Sequence, residues 1–336
     1  MKSYDLVTFG DMLIRMGAPN FQKIEQTNNF NALVTGSEMN SCVVASRYGL
    51  NTAHITKLPR NPLGRMVQNK IREQGIDTSH IVWSDEGRVG LFFIEYGAMP
   101  RTSYILYDRA DSSMAKIRPG EVDWNSVFRN TNNFHTCGTA PALSESSAEV
   151  TKEALLSAKK NKVEVSFDLN YRAKLWSEEK AQEILTPLMN YCDILITTEE
   201  DTYSVFKIKE DNYKIVAKRL QEKFNFKVVV ITLRENITVW RNNWTAIAFA
   251  NGEFYEDVTY ELELVDRVGG GDAFTGGFLY GYIKFNKDIK KSLQYGNASA
   301  ALKQTIPGDL NWSTLEETRE LIERSNNGGM SLRIKR

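Results

Sequence analysis

Hydrophobic residues follow two different periods along most of this chain. Short apolar runs, of the length of β-strands, occur at 4–10, 52–57, 133–137, 163–168, 193–197 and 227–232. Other segments have apolar residues every three or four positions, which predicts amphipathic helices, at 38–48, 63–74, 145–160, 273–285, 289–303 and 313–323. This alternation of strands and helices predicts an α/β fold whose mostly parallel sheet is covered by helices on both faces.

Two regions depart from that order. Residues 88–96 and 102–108 have no helix between them, and the linking segment 97–101 predicts a β-hairpin. A hairpin inserted there would form a small sheet over a site at the strand ends, or else extend the edge of the main sheet. A second hairpin is predicted from 237–240 and 244–249, joined by 241–243. We expect the glycine-containing, basic tail at 325–336 to be frayed.

Composition limits the classes of partner. The chain has 336 residues, 42% of them hydrophobic and 25% charged, as is typical of soluble globular proteins. Its 42 basic and 42 acidic residues cancel, so no bulk charge attracts a nucleic acid or a membrane surface. Three cysteines and three histidines are widely scattered, and neither a signal peptide nor a membrane span is evident. We therefore expect a cytoplasmic protein without nucleic-acid or membrane partners.

The most informative segment is Gly269-Gly270-Gly271-Asp272, which precedes a predicted helix. Backbone N–H groups at a helix N-terminus have no intrahelical partner and bind anions. A carboxylate there would repel a bound phosphate, unless it accepts the proton of a hydroxyl that attacks the phosphoryl group. The segment predicts a small-molecule kinase with Asp272 as the catalytic base; the alternative is a glycine turn with an aspartate helix cap.

Two further segments carry candidate binding groups. Asn40 lies one turn into a predicted helix after Gly36, where its amide could bind sugar hydroxyls or simply cap the helix. Asp168, Asn170 and Arg172 follow a predicted strand, and ligands of parallel sheets bind at strand C-termini. There Arg172 could hold a transferring phosphoryl group through its planar fork, or form a structural ion pair in a surface loop.

Arg109 ends the first predicted hairpin, and an arginine facing the substrate would indicate a carboxylate on it; a solvated loop arginine is the alternative. The acidic residues from Glu199 to Asp201 could hold Mg²⁺ mostly through water, but the pattern favours the first turn of a helix capped by Thr198. There is no P-loop motif, and no Gly-x-Gly-x-x-Gly follows the first strand, which argues against a P-loop kinase and a dinucleotide-binding dehydrogenase.

Taken together, these segments resemble the ribokinase-like (PfkB-type) sugar kinases over residues 4–323. The segment 269–277 is similar to the C-terminal signature of that family, and Gly36 with Asn40 to its N-terminal signature. Within the family, the segments 107–109, 168–172 and 308–309 look most like 2-keto-3-deoxygluconate kinases. The resemblance implies a single three-layer αβα domain over 1–336, with a mostly parallel central sheet and a small β-sheet lid from insertions near 12–33 and 88–109.

The resemblance also implies transfer of the ATP γ-phosphoryl group to a hydroxyl of a sugar acid, with Mg²⁺ and, as a further candidate, a monovalent cation. The implied catalytic residues are Asp272, Gly269, Gly270, Gly271 and Arg172. Substrate contacts are implied for Gly36, Asn40, Phe92, Tyr107, Arg109, Arg172, Asp272 and Asp309. Nucleotide contacts are implied for Asn170, Thr232, Arg234, Gly269, Gly271 and Asn297, and water-mediated metal contacts for Glu200 and Asp201.

Several positions depart from the family pattern. Thr35 replaces a glycine, Phe92 a tyrosine, Arg267 a threonine and Gly270 an alanine, and the segment 233–235 lacks the glycine usual beside the nucleotide. A fructokinase or other ketose kinase and a catalytically inactive sugar-sensing protein therefore remain alternatives. We also expect a homo-oligomer formed through the exposed edges of the lid strands.

Overall fold

The computed structural model describes residues 3–327. Its strands are β1 (Tyr4–Phe9), β2 (Leu13–Gly17), β3 (Asn31–Thr35), β4 (Thr52–Ile55), β5 (Lys57–Pro59), β6 (Val82–Ser84), β7 (Gly90–Glu95), β8 (Tyr104–Asp108), β9 (Thr131–Cys137), β10 (Glu164–Asp168), β11 (Ile194–Thr198), β12 (Val228–Thr238), β13 (Arg241–Ala250), β14 (Glu253–Glu256) and β15 (Tyr260–Glu263). Its helices are α1 (Ser37–Arg47), α2 (Pro62–Glu73), α3 (Trp124–Arg129), α4 (Thr139–Ala142), α5 (Glu145–Lys160), α6 (Glu178–Met189), α7 (Glu199–Phe206), α8 (Tyr213–Phe224), α9 (Gly270–Lys284), α10 (Ile289–Gln304) and α11 (Leu315–Asn326), with a 3₁₀ turn at Met114–Lys116.

The main sheet has nine strands in the order β14-β13-β12-β11-β10-β9-β1-β4, with β15 also paired to β13. Neighbouring strands pair in parallel from β12 through β11, β10, β9 and β1 to β4. The pairs that β13 makes with β12, β14 and β15 are antiparallel. Successive residues of β1 point to opposite faces, so Leu6 packs in a core with α1, α9 and α10, and Val7 in one with α3, α5, α6 and α8. The predicted α/β fold with helices on both faces is confirmed.

A separate small sheet has the strand order β3-β2-β7-β8, and we call it the small sheet below. The predicted hairpin at 88–96 and 102–108 is confirmed as β7 and β8, in which Phe92 pairs with Tyr107. The early segment 13–17 with 31–35 adds β2 and β3. Both halves of the small sheet therefore come from the regions predicted for a lid, while the single domain over 1–336 stays a prediction.

The second predicted hairpin is present as β12 and β13, but the predicted position of its turn is wrong. Strand β12 continues to Thr238 and pairs with β13 almost along its full length, so the connection is Val239-Trp240 and not 241–243. Residues 234–238 are exposed and largely polar, which hid the strand, but their backbone groups are paired by β13. The expected frayed tail lies outside the described residues from 328 onward, since α11 includes Ser325 and Asn326. Within residues 3–327, no helix has the length and apolar character to cross a membrane.

A buried ionic network attaches the small sheet to the main body. Arg15 of β2 contacts Asp266 at 2.8 Å (Nη2 to Oδ2) and pairs through Nη1 with Asp309. These three side chains are at most 4% exposed, and the Tyr96 hydroxyl of the small sheet also donates to Asp266. Burial alone would lower the pKa of Arg15, but the two carboxylates raise it above its ordinary value, so the guanidinium stays charged.

We expect Arg15→Met to destabilise the protein by about 3 to 5 kcal/mol, because it leaves Asp266 and Asp309 buried without a cation. Arg88→Met is the matched control: Arg88 pairs with Asp108 on the surface of the small sheet, and such pairs contribute about 1 kcal/mol or less. Urea unfolding monitored by circular dichroism measures both free energies. Equal, small losses in the two variants would show that the network is not what holds the small sheet.

Candidate active site

One cavity of about 950 Å³ lies at the carboxyl ends of the parallel strands. Its lining includes Asp11 after β1, Asp168 at the end of β10, Thr198 at the end of β11 and Thr232 in β12. The small sheet contributes Phe92 and neighbouring residues on its inner face. This is the edge at which ligands bind in parallel α/β sheets, and the volume suits two small ligands side by side.

The three glycines form the entry to α9 rather than a turn before it. Gly269 caps the helix with a φ of 82°, and the helix begins at Gly270, three residues earlier than predicted. A Cβ on Gly269 would lie 2.1 Å from the carbonyl oxygen of Asp309, so the fold itself requires this glycine. A Cβ on Gly271 would meet no other part of the described protein within 4 Å, because it would point into open space. The N–H groups of Gly269 and Gly271 are therefore available to an anion in the cavity, whereas that of Gly270 donates to the Arg267 carbonyl oxygen at 3.3 Å.

Asp272 is in the first turn of α9 and lines the cavity. Asn40 Nδ2 donates to its Oδ2 at 2.7 Å, and Ser41 Oγ donates to its backbone carbonyl at 3.0 Å. Burial raises the pKa of this carboxyl to about 6, against the lowering effects of the Asn40 hydrogen bond and the Arg172 charge. The carboxylate is oriented, faces the cavity and is more basic than an ordinary aspartate, as a general base requires.

Asn40 is a positioning group for Asp272 and not a helix cap. The cap of α1 is Gly36, whose Cβ, if present, would lie 2.3 Å from the Asp11 carbonyl oxygen. Asn40 Nδ2 also lies 3.1 Å from Thr35 Oγ1, and this hydroxyl donates to Asp309 Oδ2 at 2.7 Å. Thr35, one of the departures from the family pattern, thus connects Asn40 with Asp309.

Arg109 is buried at the end of β8 and lines the cavity, so it is not a solvated loop residue. Its guanidinium carbon lies 4.6 Å from the centre of the Tyr107 ring, and its Nη1 lies 3.8 Å from Asp11 Oδ2. Phe92 on β7 pairs with Tyr107 on β8 and also lines the cavity. Together these side chains form an aromatic end of the cavity against which the Arg109 guanidinium packs.

Asp11 is a cavity residue that the sequence reasoning missed. It is 3% exposed, and neither carboxylate oxygen has a hydrogen-bond partner among residues 3–327. Burial raises its pKa to about 6, and the nearby Arg109 charge opposes that rise. An unpartnered acceptor beside a cavity is suited to ligand hydroxyls. The available signal was an acidic residue directly after the first buried strand.

Arg172 lines the cavity, and no carboxylate of the described residues lies within 4 Å of its guanidinium, which speaks against a structural ion pair. Burial would lower its pKa, but Tyr107 and the carboxyl groups of Asp201 and Asp272 raise it. Its donors therefore remain charged and face the same space as Asp272.

The acidic turn at the start of α7 forms a helix cap and also borders the cavity. Thr198 caps α7 by accepting from the backbone N–H of Asp201 at 3.0 Å, so the predicted helix cap is confirmed. Glu200 and Asp201 also line the cavity, as does Asp168. Burial, aided by repulsion from Asp272 and Asp201, raises the pKa of Asp168 to about 7. Within residues 3–327 no group of three or more metal-ligating side chains forms, so a cation here would have few protein ligands.

Most of the candidate nucleotide residues line the cavity, and one lies away from it. The cavity is lined by Asn170, Thr232, Arg234, Gly269 and Gly271, but not by Asn297. The candidate catalytic residue Gly270 does not line it either. Asn297 is fully buried in α10 and donates from Nδ2 to Asp257 Oδ2 at 2.9 Å. Gly270 faces Gln304, which a Cβ would approach to 3.0 Å. The cavity lining gives no support to a nucleotide contact by Asn297.

The comparisons with known proteins agree with this geometry. The model of the PfkB family of carbohydrate kinases matches residues 4–314, and the chain belongs to this family. It is 36% identical to a 2-dehydro-3-deoxygalactonokinase of Haloferax volcanii over 96% of this chain and 98% of that protein. It is 30% identical to a 5-dehydro-2-deoxygluconokinase of Bacillus licheniformis over 90% of each chain.

The crystal structure of the 2-dehydro-3-deoxygluconokinase of Thermotoga maritima superposes with a TM-score of 0.92 at 36% identity, over 95% of this chain and 99% of that one. The predicted family is thus confirmed, and the protein is a carbohydrate kinase.

Proposed function

We propose that this kinase transfers the γ-phosphoryl group of ATP to the terminal hydroxyl of 2-keto-3-deoxygluconate, giving 2-keto-3-deoxy-6-phosphogluconate. The observation that carries the proposal is a single cavity with an oriented carboxylate beside free helix-terminal amides and a buried cation, Arg109, among aromatic side chains. The names of the three similar proteins support the substrate class, since each refers to a keto-deoxy sugar acid. A neutral ketose such as fructose is the second candidate, because Asp11 lies 3.8 Å from Arg109 and already balances part of its charge.

The first step is proton removal from the sugar hydroxyl. Asp272 accepts this proton, since its pKa near 6 leaves it ionised at neutral pH yet basic enough to bind a proton as the oxygen attacks. Asn40 keeps the accepting carboxylate in one orientation through its 2.7 Å hydrogen bond. The backbone position of Asp272 is held by Ser41.

The second requirement is stabilisation of charge on the moving phosphoryl group. The amides at Gly269 and Gly271 and the guanidinium of Arg172 supply fixed donors, which need no reorganisation during transfer. Gly271 leaves room for the phosphoryl group, because it places no side chain in the cavity. The small sheet acts as a lid that excludes water, which would otherwise accept the phosphoryl group.

Mg²⁺ fits the donors present. Asp168 and Asp201 are partly buried, mutually repelling carboxylates with raised pKa values, a combination that a cation stabilises. Mg²⁺ in phosphoryl-transfer sites takes one or two carboxylates and completes its shell with phosphate oxygens and water. When bound, the ion supplies positive charge to the phosphate oxygens. Glu200 is an exposed member of the same turn and a candidate for a water-mediated contact, and the monovalent cation stays a prediction.

The sugar is held between the small sheet and the main body. Arg109 and Tyr107 bind its carboxylate end, and Asp309, Phe92 and Gly36 line the space toward Asp272. We also propose a cytoplasmic location, which fits the three cysteines, all buried and free.

We further propose that the lid contributes to a homo-oligomer. Its outer face carries an apolar row that crosses all four strands, formed by Ala32, Met16, Phe93 and Leu106 as paired neighbours. Leu106 is 44% exposed, and the outer strands β3 and β8 have unpaired edges within the described residues. A second copy of the chain would cover both the apolar row and an edge.

The base assignment predicts that Asp272→Asn lowers kcat about 10²- to 10⁴-fold, because asparagine accepts no proton. Turnover is measured as ADP release that depends on added 2-keto-3-deoxygluconate. Asp288→Asn is the matched control, since Asp288 caps α10 outside the cavity and asparagine caps a helix equally well. Turnover of Asp272→Asn at the wild-type rate would rule out the proposed role.

The substrate assignment predicts that Arg109→Gln reduces the preference for the acid sugar. The ratio of kcat/KM for 2-keto-3-deoxygluconate to kcat/KM for fructose should fall about tenfold or more, since a hydrogen bond between charged groups is lost. The ratio is independent of the active enzyme fraction, and Arg88→Gln on the same sheet should leave it unchanged. Equal losses on both sugars would favour the ketose kinase.

The oligomer proposal predicts a solution mass that is a multiple of the 38.2 kDa chain, measured by light scattering after gel filtration. Leu106→Asp should shift the protein toward the monomer by placing a charge in the apolar row. Leu156→Asp is the control, because Leu156 on α5 is exposed to nearly the same extent, 43% against 44%. A wild-type mass of one chain contradicts the proposal.

A further inference from the structure

Two arginines lie where β12 approaches the glycine loop, since Arg267 Nη2 is 3.4 Å from Asn236 Oδ1 of that strand. Arg234 lies on β12 and is exposed, and Arg267 lies in the loop before α9 and is half-buried. Both line the cavity. Burial and the positive charge of Arg234 lower the pKa of Arg267, so the two guanidinium groups are close enough to repel each other.

Neither arginine has a counter-ion in the protein. No carboxylate among residues 3–327 lies within 4 Å of either guanidinium, and the polar contact of Arg267 is a long one, 3.4 Å from Nη2 to Asn236 Oδ1. Glu235 adjoins Arg234 in sequence, but its Oε2 instead accepts from Asn243 Nδ2 at 2.8 Å. Two like charges held together without compensation are stabilised when an anion binds between them.

The position of Arg234 and Arg267 indicates which anion they bind. Arg267 precedes the anion-binding glycines by two residues, which is about 7 Å of extended chain. Arg109, where the sugar carboxylate is proposed to bind, instead lies 3.8 Å from Asp11, which follows β1. Strands β9, β10 and β11 lie between β1 and β12 in the main sheet. An anion between Arg234 and Arg267 therefore lies beside the phosphoryl group at the glycine loop and not at the proposed position of the sugar carboxylate.

We propose that Arg234 and Arg267 form a clamp for the phosphate chain of the donor nucleotide. The proposal rests on the proposed function and adds donor-binding residues to it. Each planar guanidinium can offer two parallel donors to a phosphate, so the pair binds the chain from β12 and from the glycine loop at once. The clamp thereby couples donor binding to the loop that contains Gly269.

The test compares ADP with adenosine, which has the same base and ribose but no phosphate. Isothermal titration calorimetry with Mg²⁺ is performed on the wild type, Arg234→Gln and Arg267→Gln. Each substitution should raise the Kd of ADP about tenfold or more and leave that of adenosine unchanged, because charge-assisted contacts to phosphate are lost. Arg241→Gln is the matched control, since Arg241 is an exposed arginine on the adjoining strand β13 that does not line the cavity.

Three results would overturn the clamp: unchanged ADP binding in both variants, equal weakening of ADP and adenosine, or a larger effect on the KM of the sugar than on the Kd of ADP. The titrations contain no sugar, so they are independent of the acceptor assignment. Arginine-dependent ADP binding in an enzyme that phosphorylates none of the sugar acids supports the clamp and refutes the proposed substrate. Turnover of the sugar acid together with unaltered ADP binding in the variants refutes the clamp alone.

Discussion

The geometry of the cavity depends on the contacts of one buried residue, Asp266. Its Oδ1 accepts from the backbone N–H of Val268 at 3.1 Å, and its Oδ2 accepts from that of Gly308 at 2.9 Å and from Arg15 at 2.8 Å. Its carbonyl oxygen accepts from Lys303 Nζ at 2.8 Å. One residue thus ties together the glycine loop, the turn that carries Asp309, helix α10 and the small sheet. A rigid loop is what fixed donors for a developing charge require.

The same network explains how buried charges persist next to the cavity. Lys303 is fully buried, and burial lowers its pKa to about 8, although the carboxylates of Asp266 and Asp309 oppose that change. Glu38 is also fully buried; burial raises its pKa to about 8, and its Oε1 accepts from the Cys137 thiol at 2.9 Å. Glu38 is therefore a largely neutral acid beneath the cavity, so it adds little to the repulsion among the ionised carboxylates there.

The fold could be predicted from the sequence where a segment's environment depends on its own residues. Parallel strands buried on both faces, such as β10 and β11, are continuous apolar runs, and helices such as α5 carry a clear period and a serine cap. The end of β12 was missed because its exposed residues form a strand only through pairing with β13. The start of α9 was missed because glycine disfavours helices, and here Gly269 is required by the close approach of Asp309.

The candidate site, like the fold, could be predicted from the sequence only where local residues determine it. Groups next to distinctive motifs, such as Asp272 and Arg109, do line the cavity. The buried network around the site does not follow from local pattern: Arg15 and Asp309 are 294 residues apart, and one arginine in the short strand β2 does not indicate a distant partner. Asn297 shows a second limit of local pattern, since this polar residue near the signature does not line the cavity and donates an internal hydrogen bond to Asp257.

The distribution of charge along the cavity can orient the two ligands of the proposed reaction. Arginines stand at both ends, Arg109 at the small sheet and Arg234 with Arg267 at β12, while the carboxylates of Asp168, Asp201 and Asp272 lie between them. A sugar acid and a nucleotide are both anionic, so each is drawn by its charged end to a different arginine site, and the sugar's uncharged hydroxyl is left toward the acidic centre. Those carboxylates repel an anionic group, so a neutral hydroxyl or a cation-bound phosphate is favoured beside them. The charges that orient the two proposed ligands therefore also bring the reacting groups together at Asp272.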